Sequence, residues 1–335
     1  MTSSYIKGAA CLVFSAFGFA LMAALAHLAG DIPFVEKAFF RNIVAVFVTL
    51  FVLTRDRARK ASQDQNGAAK QNGSQDQKAA NHKALQDQKA DDDSKALKDQ
   101  KAGEPLIPKG ALKFLILRGL CGSAGIFGNF YALDRIPIAD AAMLNKVAPF
   151  FAVVFSFFLM GERIAPIPLA ATIGAFCGAL FIIKPGASSL HSLPALAGFL
   201  GGMGAGFAYA CVRKLGSLKV KGALVIAFFS CFSCALCLPF MLLNFVAPTA
   251  TQLLILIGAG VAGCMGQFGI TYAYYFAPPR DISIFDYSQI IFSSLLGFLL
   301  FNQIPDALSW VGYAVIVLMA AVVFVYNKRK FSEEQ

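Results

Sequence analysis

Charged side chains are scarce in this chain: 14% of its 335 residues, against about 25% in an ordinary soluble domain. One segment inflates even that figure. Residues 55–110 hold 21 of the 48 Lys, Arg, Asp and Glu residues, leaving 27 for the other 279 positions. A water-soluble globule cannot cover itself with so few charges, which excludes a soluble enzyme and a soluble nucleic-acid-binding domain. Histidine is scarce as well. Only His27, His82 and His191 occur, and none lies deep in an apolar run, so serine-type chemistry inside a membrane lacks its usual general base. No G-x-x-x-x-G-K-[ST] run is present, which excludes a phosphate-cradling loop and direct ATP drive. Cysteine is not scarce, but all eight residues sit inside apolar runs, which argues against a disulfide framework. Cys231, Cys234 and Cys237 repeat every third residue without the fourth ligand that a metal or iron–sulfur site needs, so no metal and no cofactor is expected.

What the chain has instead is hydrophobicity: 57% apolar residues, 33 Phe and a mean hydropathy of +0.64. Ten runs have the length of a spanning helix, at 8–29, 34–54, 111–133, 138–160, 164–184, 194–213, 222–246, 251–276, 282–302 and 307–326. The expected fold is therefore all-α and integral to the membrane, with ten transmembrane helices. The net charge of +10 forms no basic stripe and so gives no reason to expect nucleic acid. Its Lys and Arg residues instead collect on one side: Lys7, the 55–110 insertion, Lys113, Arg163, Arg213, Lys214, Lys219, Lys221, Arg280 and Lys328–Lys330. Only Lys37, Arg135 and Lys184 fall on the other side. The positive-inside rule makes the rich side cytoplasmic and places both termini there. The insertion repeats a Gln-Asp-Gln-like unit and has no aromatic residue. It is expected to be a cytoplasmic loop, disordered or at best transiently helical, because it cannot bury enough apolar surface to offset its ordering entropy.

A duplication is written into the chain. Gly119, Gly122, Gly125, Gly128, Ala132, Pro137 and Asp140 recur as Gly260, Gly263, Gly266, Gly269, Ala273, Pro278 and Asp281, each 141 positions later. Upstream the offset is 188 for Gly18-Phe19-Ala20 against Gly206-Phe207-Ala208 and 189 for Ala38-Phe39-Phe40 against Ala227-Phe228-Phe229. The difference is close to the length of the insertion, so only the first copy carries it. The organisation expected is spans 1–2 over residues 1–54, the insertion over 55–110, spans 3–5 over 111–186, a second copy over 187–327 and a basic tail over 328–335. Five spans per copy make the two copies inverted relative to one another, the architecture of many secondary transporters.

Ionisable groups inside a span are costly and tend to mark a pathway. Four qualify: Arg41, Arg118, Lys146 and Asp286. The 141-residue offset pairs Asn145-Lys146 with Asp286-Tyr287, so corresponding dipeptides should approach one cavity from opposite sides. Asn129, Gln267, Tyr272, Tyr275 and Gln289 supply uncharged hydrogen-bonding groups around it. Three cations against one anion favour a substrate with a carboxylate or other anionic group. No catalytic residue is expected. An aspartyl dyad of Asp140 and Asp281 would need two groups that start spans on opposite sides to meet.

These features resemble the drug/metabolite transporter superfamily, and within it the EamA-type ten-helix transporters. The resemblance rests on Ala38-Phe39-Phe40-Arg41 opening span 2, Phe130-Tyr131-Ala132-Leu133 closing span 3, Gly161-Glu162-Arg163 ending span 4 and Phe301-Asn302-Gln303-Ile304-Pro305-Asp306 linking spans 9 and 10. It covers nearly the whole chain apart from the insertion. It implies two inverted five-helix repeats around a central solute cavity, in the inner membrane of a bacterium. The patterns at Ala38–Arg41 and Phe301–Asp306 are also similar to S-adenosylmethionine uptake carriers. The chain departs from the family pattern at Gln303, which stands where the second copy should repeat Glu162, and in its long insertion. The expected function is secondary transport of a small polar, carboxylate-bearing or zwitterionic metabolite. A lipid-carrier or drug exporter of the same fold and an intramembrane enzyme are the alternatives. The expected partners are that small-molecule substrate and the lipid bilayer, with proton or exchange coupling and a monomeric or dimeric state both open.

Overall fold

The computed structural model describes residues 3–78, 107–133, 135, 144–162, 165–183, 192–302 and 304–333. Their regular structure is helical: α1 Ser3–Leu28, α2 Phe34–Lys78, α3 Ala111–Leu133, α4 Ala148–Met160, α5 Pro166–Ile183, α6 Leu193–Ser217, α7 Gly222–Leu243 and α8 Ala250–Phe276. The ninth unit, α9, spans Pro279–Phe301 and is composite: one turn at Pro279–Ile282, a 3₁₀ stretch at Ser283–Tyr287, then a regular helix at Ser288–Phe301. α10 covers Ala307–Glu333. Among the described residues nine helices are long and apolar enough to cross a membrane, and α4 is a shorter apolar one. Residues 136–143, which the sequence assigns to the start of span 4, lie outside the described residues, as do Arg163, Lys184 and Gln303.

The helix limits follow from local chemistry. Ser192 caps α6 by accepting from the Ala195 amide, and Thr249 with Gln252 forms a capping box at the start of α8. α4 ends at Gly161 with φ 67 and α9 ends at Asn302 with φ 52. Both are left-handed caps, which favour Gly and Asn, and they stand 141 positions apart. α2 differs from the sequence expectation, since it continues to Lys78 through the first part of the insertion. Ala, Gln, Lys and Arg are good helix formers, and a helix already nucleated in the apolar segment extends through them at no further nucleation cost.

Small residues set the packing. α1 lies on α8, where Gly18 meets the Gly266 amide and the Ala262 carbonyl, and the Ser15 hydroxyl donates to the Gly266 carbonyl at 2.7 Å. α3 lies on α6 through Gly125, Gly128, Gly201 and Gly204. α2 packs on α7, and α5 on α10. In that last pair Gly174 faces Met319 and Gly178 faces Val315. α4 packs on α6, and α9 packs on α1. Without a hydrophobic drive between helices in lipid, such close backbone approach is what van der Waals attraction requires. Large apolar side chains such as Phe47, Phe158, Leu243 and Leu299 point outward.

Candidate functional site

Two interruptions in helical structure place the central polar residues. Ahead of α4 the chain makes a turn at Lys146 and Val147, followed by Ala148-Pro149 at the helix start. Pro149 has no amide hydrogen to donate, so the helix cannot run unbroken across it. Gly202 of α6 lies against this turn; a Cβ there would reach Val147 Cγ2 at 2.7 Å and meet the Leu144 carbonyl. The second interruption is the 3₁₀ stretch that contains Asp286 and Tyr287.

The two interruptions meet. Lys146 Nζ lies 3.3 Å from Asp286 Oδ2 and donates to Gln289 Oε1 at 2.6 Å. The Tyr287 hydroxyl donates to the Lys146 carbonyl at 3.0 Å. Lys146 and Asp286 are each 6% exposed, and Tyr287 is fully enclosed. An ion pair so enclosed holds only because other hydrogen bonds complete each partner's requirements, and Gln289 supplies one of them.

A second polar group lies around α8. Arg118 of α3 is buried, donates from Nη2 to Gln267 Oε1 at 3.2 Å and stacks over the Phe229 ring at 3.9 Å. Arg41 of α2 lies over Phe19 at 5.9 Å and packs its aliphatic stem on Gly263. Gly263 and Gln267 are four residues apart on one face of α8, so the two arginines reach that face about 6 Å apart along the axis. Tyr209 lies within electrostatic reach of Asp286, Arg118 and Arg41. Its ring packs 5.6 Å from that of Tyr274.

Of the residues expected from sequence, Lys146 contacts Asp286, Tyr287 and Gln289, and Arg118 and Gln267 are in contact with each other. Arg41 joins through Gly263. Asn145 is partly buried beside Lys146. Asn129 stands three turns along α3 from Arg118, next to Gly201. Tyr272 and Tyr275 lie elsewhere. With Asp56, Lys219 and Lys221 they line a cavity of about 340 Å³ at the end of the bundle where α6 gives way to α7. Tyr274 takes the inward position on α8 instead, seven residues from Gln267 and so on the same face. Tyr209 and Tyr274 are the residues that sequence reasoning passed over. The 3.6-residue period measured from Gln267 would have found Tyr274.

A separate ionic tie closes the end of the bundle near α4's last turn. Arg213 Nε lies 3.0 Å from Glu162 Oε1, and its Nη1 reaches the Tyr274 and Tyr275 carbonyls at 3.3 Å. Ser156 donates to the other Glu162 oxygen at 2.9 Å. One guanidinium thereby joins α6, the end of α4 and the last carbonyls of α8.

Residues 97–184 match the model of the EamA-like transporter family. The chain is 30% identical over 229 residues to the pseudopaline exporter CntI of Pseudomonas aeruginosa, spanning 68% of this chain and 80% of that protein. It belongs to the EamA-like transporter family. A riboflavin transporter of Vibrio cholerae is 30% identical over 209 residues, covering 60% of this chain and 67% of the relative. A solved structure superposes with a TM-score of 0.69 over 97% of this chain and 99% of its own, at 18% identity, which shows a shared fold. As a family member this EamA-like protein is a multi-pass membrane protein that transports a small molecule.

Proposed function

We propose that the chain is a secondary transporter of the bacterial inner membrane. It moves a small carboxylate-bearing or zwitterionic solute by alternating access between two inverted five-helix repeats, with both termini in the cytoplasm. Helix pairings support the repeat. Exchanging α1–α5 with α6–α10 turns α1 on α8 into α6 on α3, and α1 on α9 into α6 on α4, while α2 on α7 and α5 on α10 map onto themselves. Residue pairs behave alike. Gly174 facing Met319 maps, at the 141-residue offset, onto Val315 facing Gly178.

The observation that carries the reading is the meeting of Lys146 with Asp286 and Tyr287 at two interrupted helices in the bundle interior. Non-helical backbone at membrane depth is tolerated where it lines a site. A Lys–Asp pair held in such a place can exchange its internal partner for a substrate carboxylate. The relatives named for pseudopaline export and riboflavin transport favour an organic solute over an inorganic ion.

Uptake and efflux in proteoliposomes, measured with a panel of amino acids, organic acids and vitamins, test this reading. Lys146→Ala and Asp286→Ala should each reduce the rate by about tenfold or more, the loss of one charge-assisted hydrogen bond, in protein whose melting curve stays cooperative. Wild-type rates in both variants would place the site elsewhere.

A further inference from the structure

Within the proposed solute pathway the charges do not balance. Lys146 has Asp286. Arg41 and Arg118 have no carboxylate within salt-bridge distance among the described residues, where the ion pairs join Lys146 to Asp286, Arg213 to Glu162 and Arg280 to Asp281. Both guanidinium groups rest on the faces of phenyl rings. The buried Arg118 Nε has no hydrogen-bond partner. The two arginines act on each other as like charges. Burying unpaired cations is expensive, and the cost is met only when an anion arrives.

The arrangement repeats in a telling way. Gly122 and Gly263 occupy the same position at the 141-residue offset, and each makes room for one arginine. A Cβ on Gly122 would collide with Arg118 Nη1, and one on Gly263 would press on Arg41 Cγ at 3.0 Å. The arginines themselves are not duplicated, since their counterparts are Ser230 at offset 189 and Ala259 at offset 141. The first repeat alone supplies both cations, and they converge on one face of α8 about one turn apart.

We infer that Arg41 and Arg118 form a clamp for a solute bearing two carboxylates, one for each guanidinium. This rests on the transport reading above and narrows it from an anionic or zwitterionic solute to a dicarboxylate. Guanidinium suits the task because its planar array of N–H donors matches a carboxylate and tolerates partial desolvation. Arg118 keeps a free Nε–H for this purpose. Gln267 holds its other edge, and Tyr209 lies within electrostatic reach of both arginines and of Asp286.

The test uses the full-length protein in lipid nanodiscs and the α,ω-dicarboxylates from malonate to pimelate, each compared with its own monoamide. At least one chain length should raise the melting temperature by about 2–4 °C at saturating concentration. Its monoamide should do so far less, and Arg41→Gln and Arg118→Gln should each abolish the shift. A second arm needs no ligand: removing an unpaired buried cation should leave the ligand-free melting temperature of Arg118→Gln unchanged or higher. Equal shifts from diacid and monoamide, no shift from any diacid, or a lower ligand-free melting temperature in Arg118→Gln overturns the clamp. Solute flux that depends on Lys146 and Asp286 but not on Arg41 or Arg118 would overturn the clamp and leave the transport reading standing. Flux indifferent to all four residues would remove both.

Discussion

Tyr287 donates its hydroxyl to the backbone carbonyl of Lys146 at 3.0 Å, and the two residues are separated by the same 141 positions that relate the glycine series of α3 and α8. Two equivalent positions of a duplicated chain can touch only if both lie beside the axis that relates the copies. In the proposed alternating-access cycle this bond joins the two halves at the point about which they rock. It also satisfies a carbonyl that the interruption before α4 leaves without a helical amide.

Replacing Tyr287 by Phe removes the donor and keeps the ring. The expected cost is about 1–3 kcal/mol, because the Lys146 carbonyl is then buried with no partner. Transport should fall by about tenfold as the turn at Lys146 loses its position. A urea or thermal melt together with initial flux rates checks both effects. Unchanged flux would show that this bond serves folding alone.

The arginine tie at the α4 end makes a different prediction. Glu162→Gln keeps a hydrogen-bonding amide but removes the charge that holds Arg213, and the partly buried pair should be worth about 1–3 kcal/mol. Arg213 would remain on the Tyr274 and Tyr275 carbonyls alone. Amides at the end of α8 and across residues 277–281 should exchange faster with deuterium in Glu162→Gln, by roughly tenfold, while amides at the start of α8 stay unchanged. Uniform acceleration along α8 would mean global destabilisation rather than a local release.

Two glycines separate close packing from mere helix breaking. A Cβ on Gly312 would lie 2.5 Å from the Gly178 carbonyl oxygen, and that backbone atom cannot swing aside. Gly258 has only Leu25 Cδ1 at 3.5 Å. Gly312→Ala should cost about 1–3 kcal/mol through forced separation of α5 and α10. Gly258→Ala should stabilise by about 0.5–1 kcal/mol through helix propensity. Thermal melts of the two variants should move in opposite directions.

Much of this was legible in the sequence because it depends on composition and periodicity. The run over 111–133 coincides with α3, and the 141-residue offset alone pairs Lys146 with Tyr287. Partnerships between distant segments were less accessible. Glu162 and Arg213 read as unrelated residues near helix ends, because only the packing of α4 on α6 joins them. Residue type does not separate Tyr274 from Tyr272 and Tyr275; only the angle around α8 does. The helix interruptions carried only a faint signal. Pro149 marks one, and nothing in Ser283–Tyr287 beyond the preceding Pro278-Pro279 announces a 3₁₀ stretch. The continuation of α2 past residue 56 was obscured by polar composition, which argues against a packed core but not against a helix extended from an apolar anchor.

The Lys146–Asp286 pair separates a structural from a functional role by its additivity. Removing one partner leaves the other charged and buried, so Lys146→Met alone should destabilise by about 3–5 kcal/mol. Removing both leaves no charge. Lys146→Met with Asp286→Leu should recover most of that loss, giving a coupling energy of about 2 kcal/mol or more in a double-mutant cycle. Gln289 would lose its hydrogen bond from Nζ in either case, which sets a residual cost common to the single and double variants. Transport should show no such recovery. A pair kept for stability would regain its flux along with its melting temperature. A pair that must open to admit a carboxylate leaves the double variant stable and inactive, and the difference between the melting curve and the flux measures how much of the interaction belongs to the substrate.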